Sequence, residues 1–272
     1  TSLSETVQNI ISHFLEKVSD AEDDVAIYEP NPFYKTDDAA VKSIVKNDTL
    51  YLVDGGEDLQ NVPLHPLIQP QRNVDVIFAY DNSADTNESW PNGASLVATY
   101  ERQFLEQGNG TIFPHVPDVN TFLNLNLTTR PTFFGCDAKN LTSLLPDTSD
   151  KDSVFDSPLV VYTANRPFSY WSNTSTYKLD YEDKEKKGII QNGYEAASRL
   201  NRTLDDEWAA CVGCAIIRRE QERNGIEQSD QCKSCFDKYC WNGDLDSTDQ
   251  PGVNFTTSGL TDGETRFLVV YP

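Results

Sequence analysis

Residues 73–81, NVDVIFAYD, contain the clearest strand pattern in the sequence. Apolar side chains occupy both alternating sets of positions: Val74, Val76, Phe78 and Tyr80 on one side, Ile77 and Ala79 on the other. A strand buried on both faces of a parallel or mixed sheet has this composition. The segment therefore predicts a central sheet that is covered by helices.

The segments on either side alternate between strand and helix patterns. Further strands are predicted at 50–53, 158–163 and 266–270, the first of them buried. Helices are predicted at 1–20, 93–108 with Gly108 as the stop, 190–200 and 205–222. This order indicates an α/β fold with a mixed central sheet flanked by helices, and large loops at 109–157. No shift in composition marks a linker, so residues 1–272 are assigned to one domain with a cysteine-rich helical subregion at 201–245.

The chain is strongly acidic, with 43 Asp and Glu against 22 Lys and Arg and a net charge of −21. Such a charge argues against nucleic acid as a partner and against electrostatic attachment to anionic lipid. No stretch approaches the roughly 20 apolar residues of a transmembrane helix. We therefore expect no transmembrane segment.

Two features indicate the secretory pathway. N-x-S/T sequons occur more often than this composition predicts by chance, and they imply N-glycans. They begin at Asn47, Asn87, Asn109, Asn126, Asn140, Asn173, Asn201 and Asn254. The cysteine count is even, which is compatible with three disulfides in a secreted protein.

The six cysteines allow a second interpretation. They are Cys136, Cys211, Cys214, Cys232, Cys235 and Cys240. Two C-x2-C pairs separated by 17 residues match the spacing of a zinc ribbon. However, the first pair lies in a predicted helix, and oxidised thiols are the rule in secreted chains. Disulfides are favoured over zinc, with crossing pairs between the 211–214 helix and the 232–240 segment, and we expect no metal or other cofactor.

The loop after the strand at 50–53 contains a candidate catalytic group. Asp54 ends the strand and is followed by Gly55 and Gly56. Functional side chains collect at the carboxyl ends of strands, and glycines let neighbouring backbone approach. The alternative is an ordinary turn, since Asp and Gly are frequent turn residues.

Over a longer range the sequence resembles one family. LVDGGEDLQNVPLHPLIQPQRNVDVIFAYDNSADTNESWPNGASLVATYERQF, residues 52–104, resembles the fungal secreted lysophospholipases (phospholipase B) and, more distantly, the cytosolic phospholipases with a Ser-Asp dyad. The likeness continues through RPTFFGCDAKN (130–140), PLVVYTANRPFSYWSN (158–173) and CVGCAIIRREQERNGIEQSDQCKSCFDKYCWNGD (211–244).

The resemblance implies a patatin/cytosolic-phospholipase-like fold and hydrolysis of acyl esters of lysophospholipids, and possibly of diacyl phospholipids. It assigns Asp54 the role of general base for a nucleophilic serine, without a histidine between them. Gly55, Gly56 and Asn61 would shape the site, and ordinary turn chemistry is the alternative for Asn61.

The family's nucleophile motif, G-x-S-G-G, is missing from the chain. Ser95 follows Gly93, but Val97 replaces the second glycine, and the serine is predicted to be a helix N-cap. His13, His65 and His115 are predicted to be structural or solvated. The chain is therefore expected to be the C-terminal part of a larger domain, associated with an N-terminal fragment of the same precursor that carries the serine.

Two other functions are compatible with the residues. The chain could be a non-catalytic secreted glycoprotein, a lipid-binding or regulatory subunit derived from the hydrolase fold. A glycosidase with two catalytic carboxylates is the third candidate, but no acidic pair stands out.

Overall fold

The computed structural model describes residues 26–37, 42–105, 108–145, 150–175 and 178–249. Contacts divide the chain into two compact units, Thr1–Asp58 and Leu59–Pro272. The helix predicted at 1–20 and the strand predicted at 266–270 lie outside the described residues. The assignment of the chain to one domain remains a prediction.

The first unit contains a two-stranded antiparallel sheet. Strand β1 (Ala26–Tyr28) pairs with β2 (Leu50–Leu52), and helix α1 (Lys42–Lys46) lies between them in the sequence. The side-chain amide of the buried Asn31 donates to the carbonyls of Ile44 and Asn47, both at 2.7 Å, and so connects the residues after β1 to those before β2. The strand predicted at 50–53 is present, but its predicted burial is wrong: Tyr51 is 62% exposed. In a two-stranded sheet a face is buried only where another layer covers it.

The second unit is built on a three-stranded mixed sheet in the order β3-β5-β4. Strand β3 (Val76–Asp81) runs parallel to β5 (Leu159–Ala164), and β4 (Thr132–Phe134) runs antiparallel to β5. All six residues of β5 are buried because it is the central strand. Two-sided burial of 73–81 is confirmed only in part. Val76 and Phe78 pack against a second core, but Tyr80, on the same face of this edge strand, is 52% exposed.

Helices cover both faces of this sheet, as predicted. Helices α2 (Ala94–Arg102) and α3 (Val119–Asn124) contribute Leu96 and Phe122 to a core with Val160 and Tyr162 of β5. On the other face, α5 (Trp208–Arg223) and α6 (Asp230–Tyr239) pack on Leu159 and Val161. Alternate side chains of β5 thus belong to two separate cores, one on each face of the sheet. Helix α4 is Asp183–Ser198.

Several predicted boundaries are wrong. Helix α2 ends at Arg102 and not at Gly108, and its N-cap is Gly93, with φ of 88°, while Ser95 is buried inside the helix. The side chain of Asn92 satisfies the first free amide by accepting from Ala94 N at 3.0 Å. Helix α4 begins before 190 because Glu182 and Glu185 form a capping box. The predicted loop at 109–157 contains α3, β4 and two 3₁₀ segments, Ala138–Leu144 and Lys151–Asp156.

All six cysteines form disulfides, as the sequence predicted. The pairs are Cys136–Cys240, Cys211–Cys235 and Cys214–Cys232. The last two are nested and join α5 to α6, so these helices run antiparallel. The zinc interpretation is not supported, because all four cysteines of the two C-x2-C pairs form disulfides. The described part of the chain contains no helix long and apolar enough to cross a membrane.

Arg219 connects α5 to the outer strand β4 and to the central strand β5. Its side chain is fully buried, and its guanidinium donates to Ser157 O at 2.7 Å, Gly135 O at 2.6 Å and the Glu222 carboxylate at 2.6 Å. Gly135 follows β4 and Ser157 precedes β5, so one cation fixes the chain next to two strands. Gly135 has φ of 77°, and a Cβ there would lie 2.7 Å from Pro114.

Replacing Arg219 with Gln should lower the free energy of unfolding by about 3 kcal/mol, because buried carbonyls lose charged donors. Arg223→Gln is the control, since Arg223 pairs with Asp75 and Glu220 at a partly exposed site. It should cost about 1 kcal/mol or less. Urea unfolding of both variants measures this, and equal losses would contradict the role given to Arg219.

The segment before α5 is tied to the end of α6 by Asp205. This buried carboxylate accepts hydrogen bonds from Tyr239 Oη and, at 2.8 Å, from Lys238 Nζ. Burial by itself raises the pKa of Asp205, but the bonds from Lys238 and Tyr239 outweigh it and hold the pKa below the usual value. A depressed pKa in the folded state stabilises the fold above the unfolded pKa, and this contribution is lost as pH falls through the folded pKa.

Asp205→Asn should therefore cost about 1–2 kcal/mol at pH 7, because Lys238 is half exposed and the ion pair is screened. At pH values below the folded pKa the wild type and the variant should be equally stable. Chemical denaturation across the acid range tests this, with Asp206→Asn, an exposed neighbour, as the control. A difference that persists unchanged in acid would be inconsistent with this linkage.

Candidate functional site

Asp54 lies in the turn that follows β2. Its side chain is exposed, and Oδ1 accepts from the backbone N–H of Gly56 at 2.6 Å. Its carbonyl accepts from Glu57 N at 3.1 Å, which starts the 3₁₀ segment Gly55–Asp58. The turn fixes the carboxylate while leaving it open to solvent. In the described part of the chain no serine or threonine hydroxyl bonds to it.

Asn61 lies in the second unit and lines a polar cavity of about 350 Å³. Tyr80, near the end of β3, and Asn82, just after it, also line this cavity, as do Thr174 and Ser175. Asn61 is thus placed at the carboxyl end of β3. This position fits the site-shaping role that the sequence suggested, which remains a prediction for Asn61, as it does for Gly55 and Gly56.

A second cavity, of about 330 Å³, adjoins the first through Tyr80 and Asn82. It lies between the carboxyl ends of the parallel strands β3 and β5 and one side of α4, from which Ile189, Ala196 and Ala197 contribute. Its lining is mainly apolar. Ligands of α/β proteins commonly bind at this edge of a sheet.

Two asparagines fix the residues that follow these strand ends. Asn165 N donates to Asp81 O at 2.7 Å, and the Asn165 side chain bonds to Asn82 and Ser172. The fully buried Asn192 of α4 accepts from Phe168 N at 2.7 Å and donates to Arg166 O and Ser172 Oγ, both at 2.8 Å. These bonds fix the loop at 165–173 against α4. Sequence reasoning missed both asparagines, although Asn165 directly follows a strand.

Asp81 is a buried carboxylate at the same edge. It accepts from Tyr162 Oη at 2.8 Å and from Ser83 N at 2.9 Å. Burial, followed by the nearby Asp81, raises the pKa of Tyr162 well above its usual value, so the phenol stays a donor. Burial also raises the pKa of Asp85. A hydrogen bond from Asn92 N opposes this rise, and the charge of Asp81 adds to it.

The described histidines have structural surroundings. His65 contacts Gln69 through its Nε2 at 3.2 Å, and Tyr100 Oη lies 3.0 Å from His115 Nδ1. Burial lowers the pKa of both imidazoles. Neither ring hydrogen-bonds to a serine within the described residues, and His13 lies outside them. Ser95 is not an N-cap but a buried helical residue.

Most predicted glycosylation sites are on the surface. Asn47, Asn87, Asn109, Asn126, Asn140 and Asn201 are exposed. Asn173 is half-buried, and its side-chain amide donates to Glu88 O at 2.8 Å. Asn254 lies outside the described residues. Glycosylation of these sites stays a prediction.

The chain matches one protein family over most of its length. A family model described as the lysophospholipase catalytic domain matches residues 1–246. No solved structure matches the chain.

The chain is also similar to several curated fungal proteins. It is 59% identical to Lysophospholipase 1 of Candida albicans over 90% of this chain and 39% of that protein. It is 53% identical to a lysophospholipase of Penicillium chrysogenum (91% and 39%) and 51% identical to Lysophospholipase 3 of Saccharomyces cerevisiae (93% and 36%). The chain thus spans about two fifths of the length of these relatives.

Replacing Asn192 with Ala should destabilise the chain by about 2–3 kcal/mol, because it leaves buried backbone groups of the 165–173 loop without partners. Asn224→Ala, at the exposed end of α5, removes bonds only to Glu220 and should change stability by less than about 1 kcal/mol. Hydrogen exchange should show lost protection at Phe168 N in the first variant. Unchanged protection there would contradict the assigned role of Asn192.

Proposed function

Because the chain belongs to the lysophospholipase catalytic domain family, we propose that it provides the general base of a lysophospholipid hydrolase, and that this base is Asp54. The observation that carries the proposal is an exposed carboxylate fixed by a turn amide, at the position where the resemblance places the base. The substrates are acyl esters of lysophospholipids, and possibly of diacyl phospholipids.

In the proposed mechanism Asp54 takes the proton of a serine hydroxyl as the serine attacks the ester carbonyl. The acyl-oxygen bond then breaks, and Asp54 returns the proton to the leaving alcohol. In the second step, deacylation, Asp54 takes a proton from a water molecule, which attacks the acyl-serine ester and releases the fatty acid. The bond from Gly56 N to Oδ1 holds the carboxylate in one orientation during both transfers.

The serine lies outside this chain in our proposal. Two observations support this: the chain has no G-x-S-G-G motif, and it aligns with only 39% of Candida albicans Lysophospholipase 1. An N-terminal portion of the same precursor is the partner that would supply the serine and the oxyanion-binding groups. Exposed sequons and three cystines support a secreted glycoprotein as the context.

A chimera tests the proposal. Residues 1–246 of this chain replace the matching region of Candida albicans Lysophospholipase 1, and fatty acid release from lysophosphatidylcholine is measured. Asp54→Asn should lower kcat by about 10²–10⁴-fold, because the base is lost while the shape is kept. Glu57→Gln, which neutralises an exposed carboxylate of the same turn, should change kcat by less than about twofold.

Labelling with a fluorophosphonate separates the roles further. The label should enter the relative's portion of the chimera and not residues of this chain, and Asp54→Asn should abolish it. Full activity of folded Asp54→Asn would overturn the assignment and favour a turn role for Asp54, as in a non-catalytic subunit.

A further inference from the structure

Three arginines of the second unit meet around one small depression. Arg130, Arg166 and Arg199 line it, together with residues at the end of β5 and of α4. In a chain with a net charge of −21, three cations without an anion are unexpected. None of the three forms an ion pair with a carboxylate in the described ranges, although arginines of α5 do so repeatedly.

Backbone carbonyls hold two of these guanidinium groups, those of Arg130 and Arg166. Arg166 is only 8% exposed and donates to Thr129 O at 2.5 Å. Arg130 donates to Lys238 O at 2.5 Å. Each has donors left after these bonds, because a guanidinium carries about five N–H groups. Arg130 and Arg166 are therefore held by neutral carbonyls, which leave their positive charge uncompensated.

Arg199 has a buried Nε with no hydrogen-bond partner in the described part of the chain. It stands at the C-cap of α4 and begins a run of four non-glycine residues with positive φ, from Arg199 at 52° to Arg202 at 67°. Such a left-handed run costs roughly 1–2 kcal/mol per residue. An unsatisfied charged donor and a costly backbone thus coincide at one arginine.

The electrostatics agree with close approach of the three cations. Burial, and then the charge of Arg199, lowers the pKa of Arg166 to about 10. Burial lowers the pKa of Arg130, with Arg199 adding to the effect and Tyr239 opposing it. The carboxylates nearby are already used, since Asp205 bonds to Lys238 and Tyr239, and Glu195 accepts from Ser169 N and Gln191.

We propose that Arg130, Arg166 and Arg199 form a binding site for a phosphate-type anion. The cavity between them is small, about 10 Å³, so the anion contacts the guanidinium edges from its open side. Planar forks of N–H donors suit phosphate oxygens, and charged hydrogen bonds are strong ones. A bound anion would relieve the repulsion among the cations.

The site adjoins the apolar cavity at the strand ends. Thr163, Ala164 and Ala196 line both spaces. An anionic group bound to the arginines and an acyl chain in the 330 Å³ cavity would then lie on opposite sides of these shared residues. That the phosphate belongs to a lipid rests on the proposed function; the anion site itself does not.

The test is calorimetric titration of the 272-residue chain with inorganic phosphate, glycerophosphocholine and monomeric lysophosphatidylcholine at constant ionic strength. Arg199→Gln should weaken binding at the site about tenfold or more. Arg202→Gln removes the same charge three residues away, at an exposed side chain outside the depression, and should weaken binding by less than about threefold. If Arg199→Gln does not fold, Arg199→Lys, which keeps the charge but loses the fork, takes its place and should also weaken binding.

The three ligands identify the source of the anion. Tighter binding of lysophosphatidylcholine than of glycerophosphocholine, with the difference abolished by Gly193→Leu, supports a lipid; a Cβ at Gly193 meets open space beside the cavity. Binding of inorganic phosphate alone supports the site with free phosphate as its ligand. No saturable binding of any of the three, or equal weakening by Arg199→Gln and Arg202→Gln, overturns the proposal. Because no turnover is measured, failure here leaves the role of Asp54 untouched.

Discussion

The described part of the second unit depends on the burial of one cation. Arg219 of α5 gives hydrogen bonds to Ser157 O and Gly135 O, beside β5 and β4, and to Glu222 on its own helix. A fully buried guanidinium is tolerated only when its donors are satisfied. The sheet, the helix and the tight turn at Gly135 must therefore form together.

Strand and helix types were predictable from the sequence where side chains alternate strongly. The mixed sheet and the helical 205–222 region followed from such patterns, while the paired cysteines followed from their even number and the secretory context. Burial was less predictable, because it depends on neighbours: β5 is central and β3 is an edge strand, although both sequences are equally apolar. The end of α2 at Arg102 was not predicted, because a glycine such as Gly108 marks the end of a helix only when the helix extends that far.

The candidate site was predictable only in part, for a similar reason. Asp54 and its turn could be found because they are contiguous in sequence. The Asn165–Asn192 network and the arginine cluster join residues that are 27 and up to 69 positions apart, and no local pattern marks them. Asn61 could be found from its local turn, but the cavity that it lines also includes residues after β3, which no local pattern indicates.

The nested cystines between α5 and α6 have a consequence for producing the protein. Pairing Cys211 with Cys235 and Cys214 with Cys232 fits antiparallel helices; the swapped isomer would shift one helix against the other. Material made in a reducing host must reach the correct register by packing alone, without covalent help. An oxidising compartment with a disulfide isomerase is therefore the appropriate expression route for homogeneous protein.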